Sequence, residues 1–323
     1  MKKVMKINAF GIILIIVIIF EYFYQKLYHF CLRCYSISDI KCDKCSLEMI
    51  FRGLIIMPND KTLEEIIKYN KSISRFGDGE YRIIYGEHAA FQKYDKNLSK
   101  GLLHVLNSKE KNLLVGINIP YKKKMMEERS FNSRLFWNSY FPENKFKIAK
   151  IIDKNKIYYS SCISRFYSVY NDKTKTLSYI NKLKKIWDKR DVLIIEGEKT
   201  RVGIGNDLLN NTKSIKRIIC PERNAFDIYN KIIECSLKFD KKTLILIALG
   251  PTASLLAFDL YKFNYQVIDI GHVDIEYELY LRKANGMIKI PNKYVSEVPG
   301  GNKNISNITD KIYYDQIAFN LNL

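Results

Sequence analysis

Short apolar runs and longer amphipathic runs alternate along the second half of the chain. DVLIIEG (191–197) is an apolar run closed by glycine, and NDLLNNTKS behind it has the polar start and spaced leucines of a helix. The pairing recurs as IKRIIC with NAFDIYNKIIECSLKF, TLILIALG with TASLLAFDLYKF, and YQVIDIG with DIEYELYLRKA. Apolar strands separated by helices belong to parallel sheets covered on both faces, so the pattern predicts an α/β, doubly wound and mostly parallel sheet. Upstream, TLEEIIKYN reads as a helix, KSISRF as a short strand and EYRIIYGE as a helix after a tight GDG turn. LLVGINIP and KIYYSSCIS read as strands, and YKKKMMEERSFNSRLFWNSYF as a helical insertion.

Residues 9–20, AFGIILIIVIIF, break from this rhythm. With Glu21 and the aromatic cluster Tyr22, Phe23 and Tyr24 they approach the roughly 20 residues of a membrane span. No small residues follow in EYFYQKLY, so a signal anchor is expected rather than a cleaved signal peptide; a buried β-branched segment is the alternative. Lysines and arginine on both sides (Lys2, Lys3, Lys6 against Lys26, Arg33, Lys41, Lys44) leave the orientation open. The chain thus divides into a hydrophobic anchor with a Cys-rich juxtamembrane segment (1–50) and one α/β domain (51–323). Cys31, Cys34, Cys42 and Cys45 form two C-x-x-C pairs that can hold zinc through four thiolates, or form an incidental juxtamembrane cluster. Cys162, Cys220 and Cys235 read as small core residues. Lys and Arg number 53 against 34 Asp and Glu, a net charge of +19. The basic residues are spread along the chain, which describes a solvated surface; no nucleic-acid partner is expected.

In such a sheet, ligands bind outside the carboxyl ends of the strands, and the unusual residues of this chain fall there. Asp78 and Glu80 flank Gly79; on an extended turn both carboxylates can share a hard cation, Mn²⁺ or Mg²⁺, with substrate phosphates. A surface turn whose acids cap the next helix is the alternative. Gly77 and Gly79 allow close backbone approach, and Arg75 heads the same loop. Gly203 and Gly205, preceded by Arg201 and followed by Asn206 and Asp207 as a helix cap, suit a diphosphate. A tight connection without a ligand explains that loop as well. Leu208 stands where a dinucleotide fingerprint needs a third glycine. Gly250, Thr252 and Ser254 open a helix that attracts anions or is simply capped by the hydroxyls. His272, Asp274, Glu276 and Glu278 form the densest polar cluster. One of the acids can serve as a base for an acceptor hydroxyl and His272 can touch metal or phosphate; an acidic helix start favoured by the macrodipole is the alternative. His29, His88 and His104 show no partner pattern. No P-loop, nucleophile elbow or zincin helix is present in the sequence.

Taken in order, SRFGDGE, IIEGEKTRVGIGNDLL, RIICPERNAFDIY, LIALGPTASLLAFDL and QVIDIGHVDIEYE resemble the successive blocks of the bacterial GT-D glycosyltransferase family, across roughly residues 55–320. The resemblance implies a Rossmann-like GT-D fold and a Mn²⁺- or Mg²⁺-dependent transfer from a UDP-sugar, commonly UDP-glucose, to a surface glycan, glycolipid or glycoprotein. It puts the D-x-E pair on Asp78 and Glu80, the arginine-glycine loop on Arg201, Gly203, Gly205, Asn206 and Asp207, and the His/acid block on His272, Asp274 and Glu276. Because nucleotide sugars are cytosolic, the catalytic body is expected at the cytoplasmic face of the cell membrane. The competing readings are a metal-dependent phosphohydrolase or phosphotransferase using the same acids, and a non-enzymatic nucleotide-sugar-binding scaffold of a glycan-synthesis complex.

Overall fold

A computed structural model describes residues 47–301, 303, 305 and 310–322; the apolar run at 9–20 and the two C-x-x-C pairs lie outside them. The apolar runs pair into one nine-stranded sheet of order β1-β4-β3-β2-β8-β7-β5-β6-β9, and each strand pairing is parallel. The strands are β1 (Ile55–Met57), β2 (Ser72–Phe76), β3 (Leu113–Ile117), β4 (Ile157–Ser160), β5 (Asp191–Gly197), β6 (Ser214–Cys220), β7 (Leu244–Ala248), β8 (Val267–Asp269) and β9 (Ile317–Asn320). The helices are α1 (Asn59–Tyr69), α2 (Asp78–Ile84), α3 (Lys96–Asn107), α4 (Lys123–Glu127), α5 (Phe131–Ile151), α6 (Thr176–Lys184), α7 (Tyr229–Ser236), α8 (Pro251–Lys262), α9 (Val273–Leu281) and α10 (Lys311–Gln316).

Each central strand feeds two cores. Leu244, Leu246 and Ala248 of β7 join Leu63 and Ile66 of α1, Leu183 of α6 and Leu279 of α9. Ile245 and Ile247, pointing the other way, join Ile232 of α7 with Leu256 and Leu260 of α8. β5 splits in the same manner, Val192 and Ile194 against Leu193 and Ile195. Burial on both faces is why these strands read as unbroken apolar runs instead of alternating ones.

The half built from β1 to β4 meets the half built from β5 to β9 between β2 and β8, whose ladder is a single pairing, Ile73 with Ile268. Hydroxyls reinforce this seam. Ser72 Oγ accepts from Val267 N at 2.9 Å, and Ser74 Oγ donates to Ser254 O on α8 at 2.8 Å.

Three local expectations are corrected. NDLLNNTKS forms turns instead of a helix: Arg201, Gly203 and Gly205 all take positive φ, and Asn206 Oδ1 captures Leu208 N at 3.1 Å, a local bond that competes with helix. Leu208 and Leu209 still bury, tied down by Trp187 Nε1 donating to Leu208 O at 3.1 Å. The GDG segment is the start of α2 itself, with Gly77 as its N-cap, so Asp78 and Glu80 lie on a helical first turn. The C-terminus adds an unexpected edge strand, β9, fastened to β6 through Arg217. This guanidinium is buried, pairs with Glu196, and donates from Nη2 to Val202 O at 2.9 Å and from Nε to Gln316 Oε1 at 2.8 Å. Among the described residues no helix is long and apolar enough to cross a membrane.

Removing one member of a buried ion pair leaves the other charge uncompensated. Glu196→Ala is expected to cost about 3–5 kcal/mol of stability in a denaturant titration, whereas Glu196→Leu with Arg217→Met recovers most of that loss.

Candidate active site

A cavity of about 1300 Å³ opens over the carboxyl ends of the strands, lined from both halves of the sheet and by the insertion that carries α4 and α5. Arg75, the penultimate residue of β2, reaches across the seam. Its Nε donates to Asp269 O at 2.7 Å and its Nη2 to Asp269 Oδ1 at 2.8 Å, while Nη1 donates to Ser161 O at 3.2 Å and to Ser164 Oγ. The guanidinium is therefore committed to the protein, a structural duty where donor binding was expected of it. Gly271 makes room for it: at φ +44°, a Cβ there would stand 1.9 Å from Arg75 Nη2.

Asp78 and Glu80 both line the cavity, although two residues apart on a helix they diverge by roughly 200°. Helix α2 begins at the cavity, which lets both reach it. Glu80 Oε2 accepts from Gly77 N at 2.7 Å, the one half of a capping box that a glycine N-cap allows. The capping and ligand readings of this pair thus coexist at one carboxylate. Burial pushes the Glu80 carboxyl up to about 7, with the negative charges of Asp269 and Asp78 adding to it. Burial likewise raises Asp269, and Arg75 opposes the rise. Asp78, Glu80 and Asp269 thus all line the cavity, with Arg75 paired to Asp269 alone among them.

The His/acid block separates. His272, the N-cap of α9, lines the cavity with its Nε2 3.0 Å from Glu297 Oε1. Arg165 pairs with the same carboxylate. Burial works against the Glu297 charge, but His272 and Arg165 outweigh it and hold the carboxyl well below the usual range. Asp274 and Glu276, by contrast, are buried beneath the site and do not line it. Glu276 accepts from Tyr167 N at 2.8 Å and Ser168 N at 2.7 Å, fixing the segment after β4. Asp274 takes Lys293 Nζ at 2.6 Å, Gly203 N at 2.9 Å and Asn206 Nδ2 at 2.9 Å. Glu278 is likewise buried, bound by Asn206 at 2.8 Å. These carboxylates are held by the fold's own donors and lie outside the cavity lining, so the geometry gives no support to a base for an acceptor hydroxyl among them.

The arginine-glycine loop is corrected on the same ground. Gly203 and Asn206 face Asp274; Asp207 binds Tyr277 Oη at 2.6 Å and Lys184 Nζ at 3.1 Å; Arg201 is buried and donates to Asn292 O at 2.7 Å. None of Arg201, Gly203, Gly205, Asn206 and Asp207 lines the cavity. Of the other loop, Gly250 lines it, while Thr252 is buried and its Oγ1 donates to Gln92 Oε1 at 3.1 Å. Sequence reasoning missed Asp269, Arg129, Arg165, Glu297 and His88 as cavity residues. Asp269 carried a signal, an acid closing an apolar strand; Arg165 and Glu297 lie in irregular segments that carry none.

A hard divalent cation fits the acidic seam. The donor set is oxygen only, and an added positive charge would favour the ionised Glu80 that burial, and after it the charges of Asp269 and Asp78, disfavour. Among the described residues no three of His, Cys, Asp and Glu form a ready ligand group. The protein would supply one or two oxygens, leaving the rest to phosphate and water, as Mg²⁺ and Mn²⁺ sites in phosphate chemistry allow.

A family model described as glycosyltransferase GT-D fold matches residues 73–298. The chain is 35% identical over 270 residues to a probable glycosyl transferase Gly of Streptococcus gordonii, covering 84% of this chain and 39% of that protein. It is 35% identical over 261 residues to glycosyltransferase GlyD of Streptococcus pneumoniae serotype 4, covering 80% of this chain and 31% of that protein. The match therefore spans well under half of either relative. Among solved structures, one described as a domain of unknown function 1792 with a distinct glycosyltransferase fold superposes with a TM-score of 0.80 at 34% identity, covering 86% of this chain and 99% of that chain. Another, described as a new glycosyltransferase from Streptococcus sanguinis, gives 0.78 at 34% identity over 83% and 99%.

Gly271→Ala tests the seam. The positive φ and the collision with Arg75 are expected to cost about 1–3 kcal/mol in thermal or denaturant unfolding.

Proposed function

The chain belongs to the glycosyltransferase family of GT-D fold, and on that premise we propose that it moves a sugar, glucose in the first instance, from a UDP-sugar to a surface glycan, glycolipid or glycoprotein, with Mn²⁺ or Mg²⁺. The observation that carries the metal-dependent part is that Asp78, Glu80 and Asp269 line one cavity at the seam of the sheet, with Arg75 paired to Asp269. Asp78 and Glu80 would hold the cation, which when bound supplies positive charge to the departing diphosphate.

The chain's own groups divide the remaining work. Gly77 and Gly79 let the donor approach the start of α2 closely, and the Arg75–Asp269 tie keeps the ends of β2 and β8 in register beneath it. In the reaction the bond from the anomeric carbon to the diphosphate breaks, a bond to the acceptor oxygen forms, and the hydroxyl proton needs an acceptor. His272 is the member of its block that faces the cavity, and Glu297 orients its ring, so we assign it that proton. A cavity of about 1300 Å³ exceeds the roughly 300–1,000 Å³ of a typical small-ligand pocket, which suits a nucleotide sugar and an acceptor end together. We further place the apolar run at 9–20 as a membrane anchor that presents the cavity to its acceptor from the cytoplasmic side.

The purified full chain is to be incubated with a panel of UDP-sugars in Mn²⁺ or in EDTA, with nucleotide products resolved. UDP release from one sugar, lost in EDTA and reduced roughly 10²-fold or more by Asp78→Asn, is the expected result. Release of UMP with sugar phosphate would instead indicate cleavage of the diphosphate by a phosphohydrolase. Sugar transfer unaffected by EDTA would remove the metal from the account.

A further inference from the structure

Arg129 is only 4% exposed, yet it lines the cavity on the side formed by the ends of β3 and β4. Its Nη1 donates to Ser133 Oγ at 3.2 Å and its Nη2 to Asn118 Oδ1 at 2.6 Å, with Cys162 Sγ at 3.6 Å from the same nitrogen. The guanidinium carbon lies 6.0 Å from the centre of the Trp137 ring. Among the described residues Nε finds no hydrogen-bond acceptor, and the groups the guanidinium does bond are neutral: an amide, a hydroxyl and a thiol.

Two other arginines around the cavity differ, while the fourth, Arg82, is exposed. Arg75 has Asp269 and Arg165 has Glu297. A buried charge without a partner of opposite sign is costly, and proteins retain one where a ligand completes it. Arg129 also directly precedes α5, a 21-residue helix capped by Ser130, and Ser130, Asn132 and Ser133 of its first turn line the same cavity. The positive end of a long helix and an uncompensated guanidinium therefore converge on one wall.

We infer that Arg129 and the first turn of α5 form an oxyanion site that receives a phosphate group of the substrate, apart from the acidic seam of β2 and β8. The guanidinium fork and the helix amides are the groups that phosphate oxygens pair with. The inference rests on the transferase reading for its choice of phosphate, which belongs either to the donor diphosphate or to a phosphorylated acceptor. Neither source changes what the wall must recognise.

The test is the affinity of the full chain for inorganic pyrophosphate in EDTA and for UDP in Mn²⁺, by calorimetry, for wild type and Arg129→Gln, with melting curves alongside. Pyrophosphate affinity is expected to fall at least about tenfold in the variant. Its melting temperature without anion is expected to stay at or above that of wild type, because an unpaired buried charge has been removed. A parallel fall in UDP affinity identifies the donor diphosphate. Unchanged UDP affinity, with pyrophosphate still binding to UDP-saturated wild type, identifies an acceptor phosphate. Equal pyrophosphate affinity in the two proteins overturns the site, and a role limited to tying Asn118 and Ser133 in place would show that result with a lowered melting temperature. If Arg129→Gln does not fold, Arg129→Lys is measured in its place: the fork is lost and the charge kept, so affinity is expected to drop several-fold, and an unchanged value again overturns the site. Pyrophosphate binding by a wild type that turns over no nucleotide sugar would sink the transferase reading and leave the site standing.

Discussion

The structure turns on one ion pair. β2 and β8 share a single ladder pairing, so the junction between the halves of the sheet has little backbone bonding of its own. Arg75 supplies what the ladder lacks, gripping both the carbonyl and the carboxylate of Asp269 and reaching over to the turn after β4. Gly271 exists in its present form because the guanidinium occupies the space a side chain would need. The same tie decides where the cavity lies, since it holds the ends of the central strands together beneath it.

The charge distribution around that tie has a direction. At the seam, acids outnumber bases, and Glu80 is raised to about 7 by burial and by its acidic neighbours. On the β3 and β4 side the imbalance reverses, with Arg129 buried among neutral partners. A cation-bridged phosphate compound matches both surpluses at once, being positive where the protein is negative and negative where it is positive. Two other buried cations are balanced within the fold, Arg217 by Glu196 and Lys293 by Asp274 and Glu278, whereas buried Arg201 donates to the carbonyl of Asn292 away from the cavity.

Much of the fold was legible in the apolar runs, because a strand buried on both faces leaves an unmistakable pattern, as in LILIA of β7. β1 and β9 were not, being short edge strands whose residues are half exposed and carry little periodicity. Helix α6 was missed because its polar, lysine-bearing face dilutes the signal of Tyr179, Ile180 and Leu183. At the site, the segments around Asp78, Gly250 and His272 line the cavity, whereas the stretch from Arg201 to Asp207 does not. Asp274, Glu276 and Glu278 looked catalytic because they are acidic and close together. Only the fold shows that Lys293, Asn206 and the backbone of Tyr167 and Ser168 consume them. Family membership matched the resemblance carried by the five blocks, while the cofactor, donor and acceptor remain proposals built on the geometry.

The central claim is that the acidic seam is an incomplete cation site finished by the phosphates of a nucleotide. Titrating Mn²⁺ into the full chain by calorimetry, with and without saturating UDP, addresses it directly, since binding of the two must be reciprocally coupled if they share ligands. The account predicts weak Mn²⁺ binding alone, strengthened about tenfold or more by UDP, with the enhancement lost in Glu80→Gln. Equal Mn²⁺ affinity in the presence and absence of UDP would contradict it.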